Sequence, residues 1–217
     1  MGNPWLGSYP AGVPAAIDTS EFSSLVDLLE QSFTRFSSRV AYINMGASQT
    51  FAQVDRLSRD FAAYLQHELK LPPGTRVALM MPNLLQYPVC LFGIWRAGCV
   101  AVPCNPLYTA PELRPQLHDA GAGGIVIVEE FAHVLQEIAH EVPVRHVMVT
   151  ALGDMLGFKG YIVNAVVRHV KHMVPKWSLS GAIGLKHALA RGRRLKPAAS
   201  RAGFHALALL AFPGGNT

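Results

Sequence analysis

The chain has 217 residues and a mass of 23.5 kDa, room for one large domain or two small ones. Half of its residues are hydrophobic, 15% are charged and the mean hydropathy is +0.23, which excludes a disordered tail, a collagen-like chain and a charged coiled coil. The net charge of +5 is unevenly placed: nine Lys and Arg face thirteen Asp and Glu up to Thr150, and ten face one after it, so the first 150 residues carry −4 and the last 67 carry +9. A mildly acidic globular part followed by a basic part predicts two regions, 1–150 and 151–217, the second facing phosphates, anionic lipid or an acidic partner.

The first basic residue is Arg35, so the start of the chain does not read as a secretory signal. Ser24 with Asp27 predicts a helix start, and Leu25, Leu28, Leu29, Phe33 and Phe36 follow at helical spacing. Residues 40–45 are β-prone, and Gly46, Ala47 and Ser48 read as a turn into Thr50. Thr50 and Gln53 form a capping-box pattern ahead of Phe51, Val54, Leu57, Phe61, Leu65 and Leu69, and Pro72-Pro73-Gly74 stops that helix.

From there short apolar runs alternate with helical stretches. Strands are predicted at 77–81, 100–102, 125–128 and 146–150, with helices at 84–97, 110–120 and 131–140. Thr109 and Glu112 cap the second of these helices and Gly121 ends it. Strand, helix, strand repeated three times predicts an α/β fold with a parallel sheet covered on both faces. Ligands of such sheets bind beyond the carboxyl ends of the strands, here Met81-Pro82-Asn83 and the 105–108 segment. The stretch 87–104 is charged only at Arg96, but Pro88, Gly93, Gly98 and Pro103 interrupt it, so it reads as a buried helix and strand, not a membrane span.

Gly121-Ala122-Gly123-Gly124 follows a helix and enters a strand, the reverse of the dinucleotide-binding order, and reads as a turn. Cys90, Cys99 and Cys104 are too few and too odd in number for a disulfide framework and read as buried thiols in a reducing compartment. No metal-ligand spacing and no G-x-S-x-G elbow is present in the sequence. The strand-like run 207–212 leads into Pro213-Gly214-Gly215-Asn216-Thr217, which suits either a phosphate-cradling loop or a terminus that merely contains glycine.

Residues 161–174 read as a basic amphipathic helix, with Ile162, Val163, Val166, Val167, Val170 and Val174 on one side and Arg168, Lys171 and His172 on the other. Two readings stand: valines packed on the sheet, or a helix lying on an anionic bilayer through Tyr161 to Trp177. The run Arg191-Gly192-Arg193-Arg194-Leu195-Lys196 reads as a solvated linker; it lacks a stacking platform or a groove-shaped helix, so nucleic acid is not an expected partner.

The segments TFAQVDRLSRDFAAYL at 50–65, VALMMPN at 77–83, LLQYPV at 84–89, LFGIWRAG at 91–98, NPLYTAPEL at 105–113 and FAHVL at 131–135 together resemble the N-terminal part of bacterial long-chain fatty-acid CoA ligases of the adenylate-forming superfamily. The resemblance implies Rossmann-like βαβ repeats, the amino-terminal part of the adenylate-forming synthetase fold. It also implies activation of a fatty acid by ATP and Mg2+ to an acyl-adenylate, then transfer to coenzyme A. That family's phosphate loop reads Tyr-Thr-Gly-Gly-Thr-Thr-Gly, which places Gly214, Gly215 and Thr217 on matching positions, Phe212 on a conservative one, and Pro213 and Asn216 on mismatches. Because 217 residues reach only the start of that loop, the resemblance predicts a fragment, 151–217 being an incomplete domain. Such a fragment is expected to lack ligase turnover by itself and to bind neither ATP, Mg2+ nor coenzyme A tightly; the alternative is a non-catalytic membrane-surface or partner-binding remnant. An uncovered sheet edge in it predicts self-association. The expected location is cytoplasmic, peripheral on the inner membrane face.

Overall fold

A computed structural model describes residues 4–18, 20–199 and 203–212. Helix α1, Leu25–Arg35, begins as its cap predicts, with the Ser24 hydroxyl accepting from the Asp27 N–H at 3.1 Å. Strands β1, Val40–Asn44, and β2, Ala47–Thr50, pair antiparallel around Met45 and Gly46. Their φ values of 49° and 76° belong to a primed hairpin turn. The turn is therefore one residue tighter than expected, and Ala47 and Ser48, read as turn, already pair. Helix α2, Phe51–Ala63, carries both bonds of the capping box, Gln53 N–H to Thr50 Oγ1 at 3.2 Å and Thr50 N–H to Gln53 Oε1 at 2.8 Å. It continues through a π-helical turn, Tyr64–Glu68, to Lys70 at φ 51°.

Then the alternation begins: β3 (Arg76–Met80), α3 (Gln86–Arg96), β4 (Val100–Cys104), α4 (Ala110–Ala120), β5 (Ala122–Val128), α5 (Ala132–Ile138), β6 (His146–Thr150), α6 (Phe158–Ala165), β7 (Ile183–Gly184) and α7 (Leu185–Gly192). The five strands β3 to β7 form one parallel sheet in the order β4-β3-β5-β6-β7. Side chains of a strand alternate between faces. Accordingly Val77, Leu79, Val126, Val128 and Met148 enter a core with α2, α3 and α7, while Ala78, Met80, Ile125, Ile127 and Val149 enter a second core with α4 and α5. Both faces are covered, which is why the strands read as unbroken apolar runs.

Between α1, α2 and α3 lies Arg96, whose side chain is 5% exposed. Its guanidinium binds Asp55 Oδ1 at 2.5 Å and the Asp55 carbonyl at 3.1 Å, and stacks 5.2 Å from the Phe33 ring centre. Burial lowers its pKa, against the raising effect of Asp55. The three cysteines are free and buried; burial pushes Cys99 up to about 11 and Cys104 up to about 12, so these thiols are inert at neutral pH. Gly121, at φ 61°, caps α4, but Ala122, Gly123 and Gly124 belong to β5 instead of a turn.

Two elements depart from expectation. The basic run starting at Arg191 does not begin in a linker: it is the last turn of α7, where Arg191 pairs with Glu68 and Gly192 is pressed against the Asp60 carbonyl. Helix α6, which runs on through a π turn, Val166–Val170, buries only Gly160, Asn164 and Val167. Of the apolar side that one of the two readings packed on the sheet, Ile162, Val166 and Val170 are exposed, Val163 and Val174 half-buried and Val167 buried.

Candidate functional site

The chain passes from β3 out to β4 and back across β3 to β5, so the connection reverses at the carboxyl ends of β3 and β5, where parallel sheets place their ligands. Met81 is buried there, and the Asn83 carbonyl accepts from Asn44 Nδ2 at 3.0 Å, tying the hairpin to the crevice. Beyond β4, Asn105 Oδ1 accepts the Leu107 N–H at 3.0 Å, a side-chain turn that directs the 105–108 loop.

A polar network closes the next two strand ends. Gln86, almost fully buried, donates from Nε2 to the Ala151 carbonyl at 2.8 Å and to Thr150 Oγ1 at 3.2 Å. Asp154 Oδ2 accepts from Thr150 Oγ1 at 3.0 Å and from the Ala151 N–H at 2.9 Å, and its Oδ1 lies 3.1 Å from Lys186 Nζ. Asn164 Oδ1 accepts the Gly153 N–H at 2.7 Å, which fixes α6 to this loop. Arg168 grips Glu129 with both arms of its guanidinium, at 2.7 to 3.1 Å, and those bonds raise its pKa.

Glu130, 6% exposed, has no hydrogen-bond partner for either carboxylate oxygen among the described residues. Burial, with smaller repulsion from Glu129 and Asp154, pushes it up to about 7, against the lowering effects of its own backbone N–H and of Arg168. This carboxyl follows β5, where the strand order reverses. The sequence reading missed this network. The one available signal was that Asp154 is the lone acidic residue after Thr150; Glu129 and Arg168, 39 residues apart, carried no local signal.

The predicted run 207–212 lies beside the free edge of β4. Ala101 donates to the Ala208 carbonyl at 3.0 Å, Leu210 donates back to the Ala101 carbonyl at 2.9 Å, and Trp95 Nε1 clamps the Ala208 carbonyl at 2.7 Å. The pairing with Leu209 is parallel, so the run heads toward the carboxyl ends of the strands. Gly214, Gly215 and Thr217 lie outside the described residues. A cavity of about 540 Å³ between β2, α2 and α7 is lined by Arg56, Asp60, Asp154, Lys186 and Arg193. Burial raises the Asp60 pKa, with Arg56 and Arg193 pulling the other way. Among the described residues no group of three or more His, Cys, Asp or Glu side chains could hold a metal ion, and no helix is long and apolar enough to cross a membrane.

A doubly wound parallel sheet of this order matches a known enzyme class: the family described as AMP-binding enzyme matches residues 29–187, and the chain belongs to that family. It is a homologue of the N-terminal portion of long-chain-fatty-acid–CoA ligases. It is 49% identical over 214 residues to the "Long-chain-fatty-acid--CoA ligase" of Salmonella typhimurium, an alignment covering 98% of this chain and 38% of that protein. Among solved structures, an anthranilate CoA ligase in complex with anthranoyl-AMP superposes with a TM-score of 0.71 over 93% of this chain and 35% of its own, at 19% identity. A long-chain-fatty-acid-CoA ligase from Archaeoglobus fulgidus gives 0.68 over 96% and 37%, at 17% identity. These likenesses establish the fold, that of the part of those two CoA ligases which the chain covers. The chain spans about 38% of the length of the Salmonella relative.

Proposed function

We propose that this chain forms the amino-terminal part of a ligase that joins a long-chain fatty acid to coenzyme A through an acyl-adenylate, with ATP and Mg2+ as cofactors. The observation that carries the reading is the 49% identity over nearly the whole chain to a protein of that name. The run beside β4 supports it, because it directs the chain toward the crevice side of the sheet. In this reading Gly214, Gly215 and Thr217 begin a loop whose backbone N–H groups cradle phosphate, 1–150 is the α/β region, and 151–217 carries the basic helix, the last strand and helix of that sheet, β7 and α7, and the approach to that loop.

Phosphoryl chemistry needs cations and preorganised donors around the transition state. The 217-residue polypeptide alone is proposed to supply too few of them for turnover or tight nucleotide binding. A pyrophosphate-release assay with palmitate, ATP, Mg2+ and coenzyme A is expected to stay at background for this polypeptide; thioester formed by it would refute the proposal. A specific observation also favours the bilayer reading of Tyr161 to Trp177: Tyr161, Ile162, Val170 and Met173 are each more than half exposed. We read that segment as a peripheral contact with an anionic membrane surface, where a fatty acid would be met.

A further inference from the structure

We infer that the tip of the β1–β2 hairpin and the exposed face of α6 form one continuous wedge that inserts into an anionic bilayer. This rests on the membrane contact proposed for α6 and adds to it an element 114 residues away in sequence, joined by the bond from Lys159 Nζ to the Met45 carbonyl at 2.8 Å.

Three observations carry it. A surface helix ordinarily turns its apolar stripe to the core, whereas α6 attaches by Gly160, Asn164 and Val167 and leaves Phe158 82%, Ile162 57% and Val170 69% exposed. At the hairpin tip, Ile43 is 73% and Met45 49% exposed, and Asn44 between them turns the other way, to Asn83. Met45 also holds φ 49°, a conformation that Asn or Gly adopts readily and a long apolar side chain does not. A sequence that places methionine there, half in water, breaks a local rule that a surface role would explain. Finally, no acidic residue follows Asp154 in the chain, while Lys171 and Lys176 follow the helix. The excess of positive charge in this part of the chain suits lipid phosphates and would repel a second copy of itself.

The test is co-sedimentation of the 217-residue polypeptide with vesicles of phosphatidylcholine alone and of phosphatidylcholine with an equal part of phosphatidylglycerol. Met45→Asn suits the turn, so it should keep the wild-type thermal melt. It is expected to weaken binding to the anionic vesicles roughly tenfold, with Ile43→Ser acting in the same direction. A tryptophan at position 45 (Met45→Trp) should be quenched by lipids brominated in the acyl chains. If Ile162→Ser with Val170→Ser abolishes binding while Met45→Asn and Ile43→Ser bind as wild type, the composite wedge is overturned and the helix contact stands alone. Wild type that binds neither vesicle overturns both readings. So does a concentration-dependent dimer that the Met45 and Ile162 variants convert to monomer without any lipid binding.

Discussion

Helices α2 and α6 share a plan and use it oppositely. Each runs α-helically, widens into a π turn (Tyr64–Glu68 and Val166–Val170) and ends at a residue of left-handed backbone, Lys70 at φ 51° and His172 at φ 50°. Helix α2 buries Val54, Phe61 and Leu65 against α3 and α7, whereas α6 buries a glycine, an asparagine and one valine. Periodicity supplies a stripe in both. What decides where the stripe points is how the helix is fastened. α2 is held by apolar contact. α6 is held by backbone approach at Gly153 and Gly160, by the Asn164 bonds and by the Arg168–Glu129 pair.

The largest effect that would sharpen this contrast is Phe61→Ala on α2. Phe61 is fully buried and its ring meets the face of Gly93, so a loss of about 3–5 kcal/mol is expected. Urea unfolding should show it as a lower midpoint with unchanged slope. An unchanged midpoint would mean that α2 is not held by its apolar face.

Next comes Glu130, beneath the fastening of α6. Its folded pKa of about 7 lies above the ordinary 4.5, so between those values the folded state holds the proton more tightly than the unfolded chain. Its contribution to stability is therefore greatest at and below pH 4.5 and is lost as pH rises through 7. Glu130→Gln should remove roughly 3 kcal/mol of the stability difference between pH 4.5 and pH 8. Denaturant midpoints across that range, compared between variant and wild type, measure it; parallel pH profiles would contradict the burial of an unpartnered carboxyl.

That carboxyl marks the limit of what the sequence shows. Helix α4 and strand β6 were legible to the residue, because Thr109, Glu112 and Gly121 punctuate one and an uninterrupted apolar run defines the other. Strand β7 was not, since two residues, Ile183 and Gly184, carry no period. Helix α7 was hidden by its basic end, although Leu185, Ala188 and Leu189 recur at helical spacing. The crevice could be placed from the strand ends, but its charges could not: Glu129 and Glu130 are adjacent acids in sequence, and only burial and the reach of Arg168 set one as an ion-pair partner and the other as a proton acceptor. The outward face of α6 was open to two readings because an amphipathic pattern gives a direction relative to the helix, not to the protein.

The fastening itself predicts a third effect. A Cβ on Gly160 would fall inside the backbone of Gly153, with no flexible side chain to yield. Gly160→Ala should cost about 1–3 kcal/mol despite improving helix propensity, and a gain in melting temperature would show that α6 is not held by that approach.

The smallest effects are the most discriminating. In a helix packed through its apolar stripe, replacing a large aliphatic residue by serine removes buried area and costs several kcal/mol. Ile162 and Val170 are 57% and 69% exposed, and among the described residues neither packs on the two cores. Ile162→Ser and Val170→Ser should each shift stability by no more than about 0.5 kcal/mol, the range of ordinary surface substitutions. Serine for Val54 on α2, whose side chain is fully buried, should destabilise several times more. Equal losses at the two helices in one denaturant series would mean that α6 turns its stripe inward in solution. In that case its apolar face would already have a partner within the protein, and nothing would be left over for a membrane to bind.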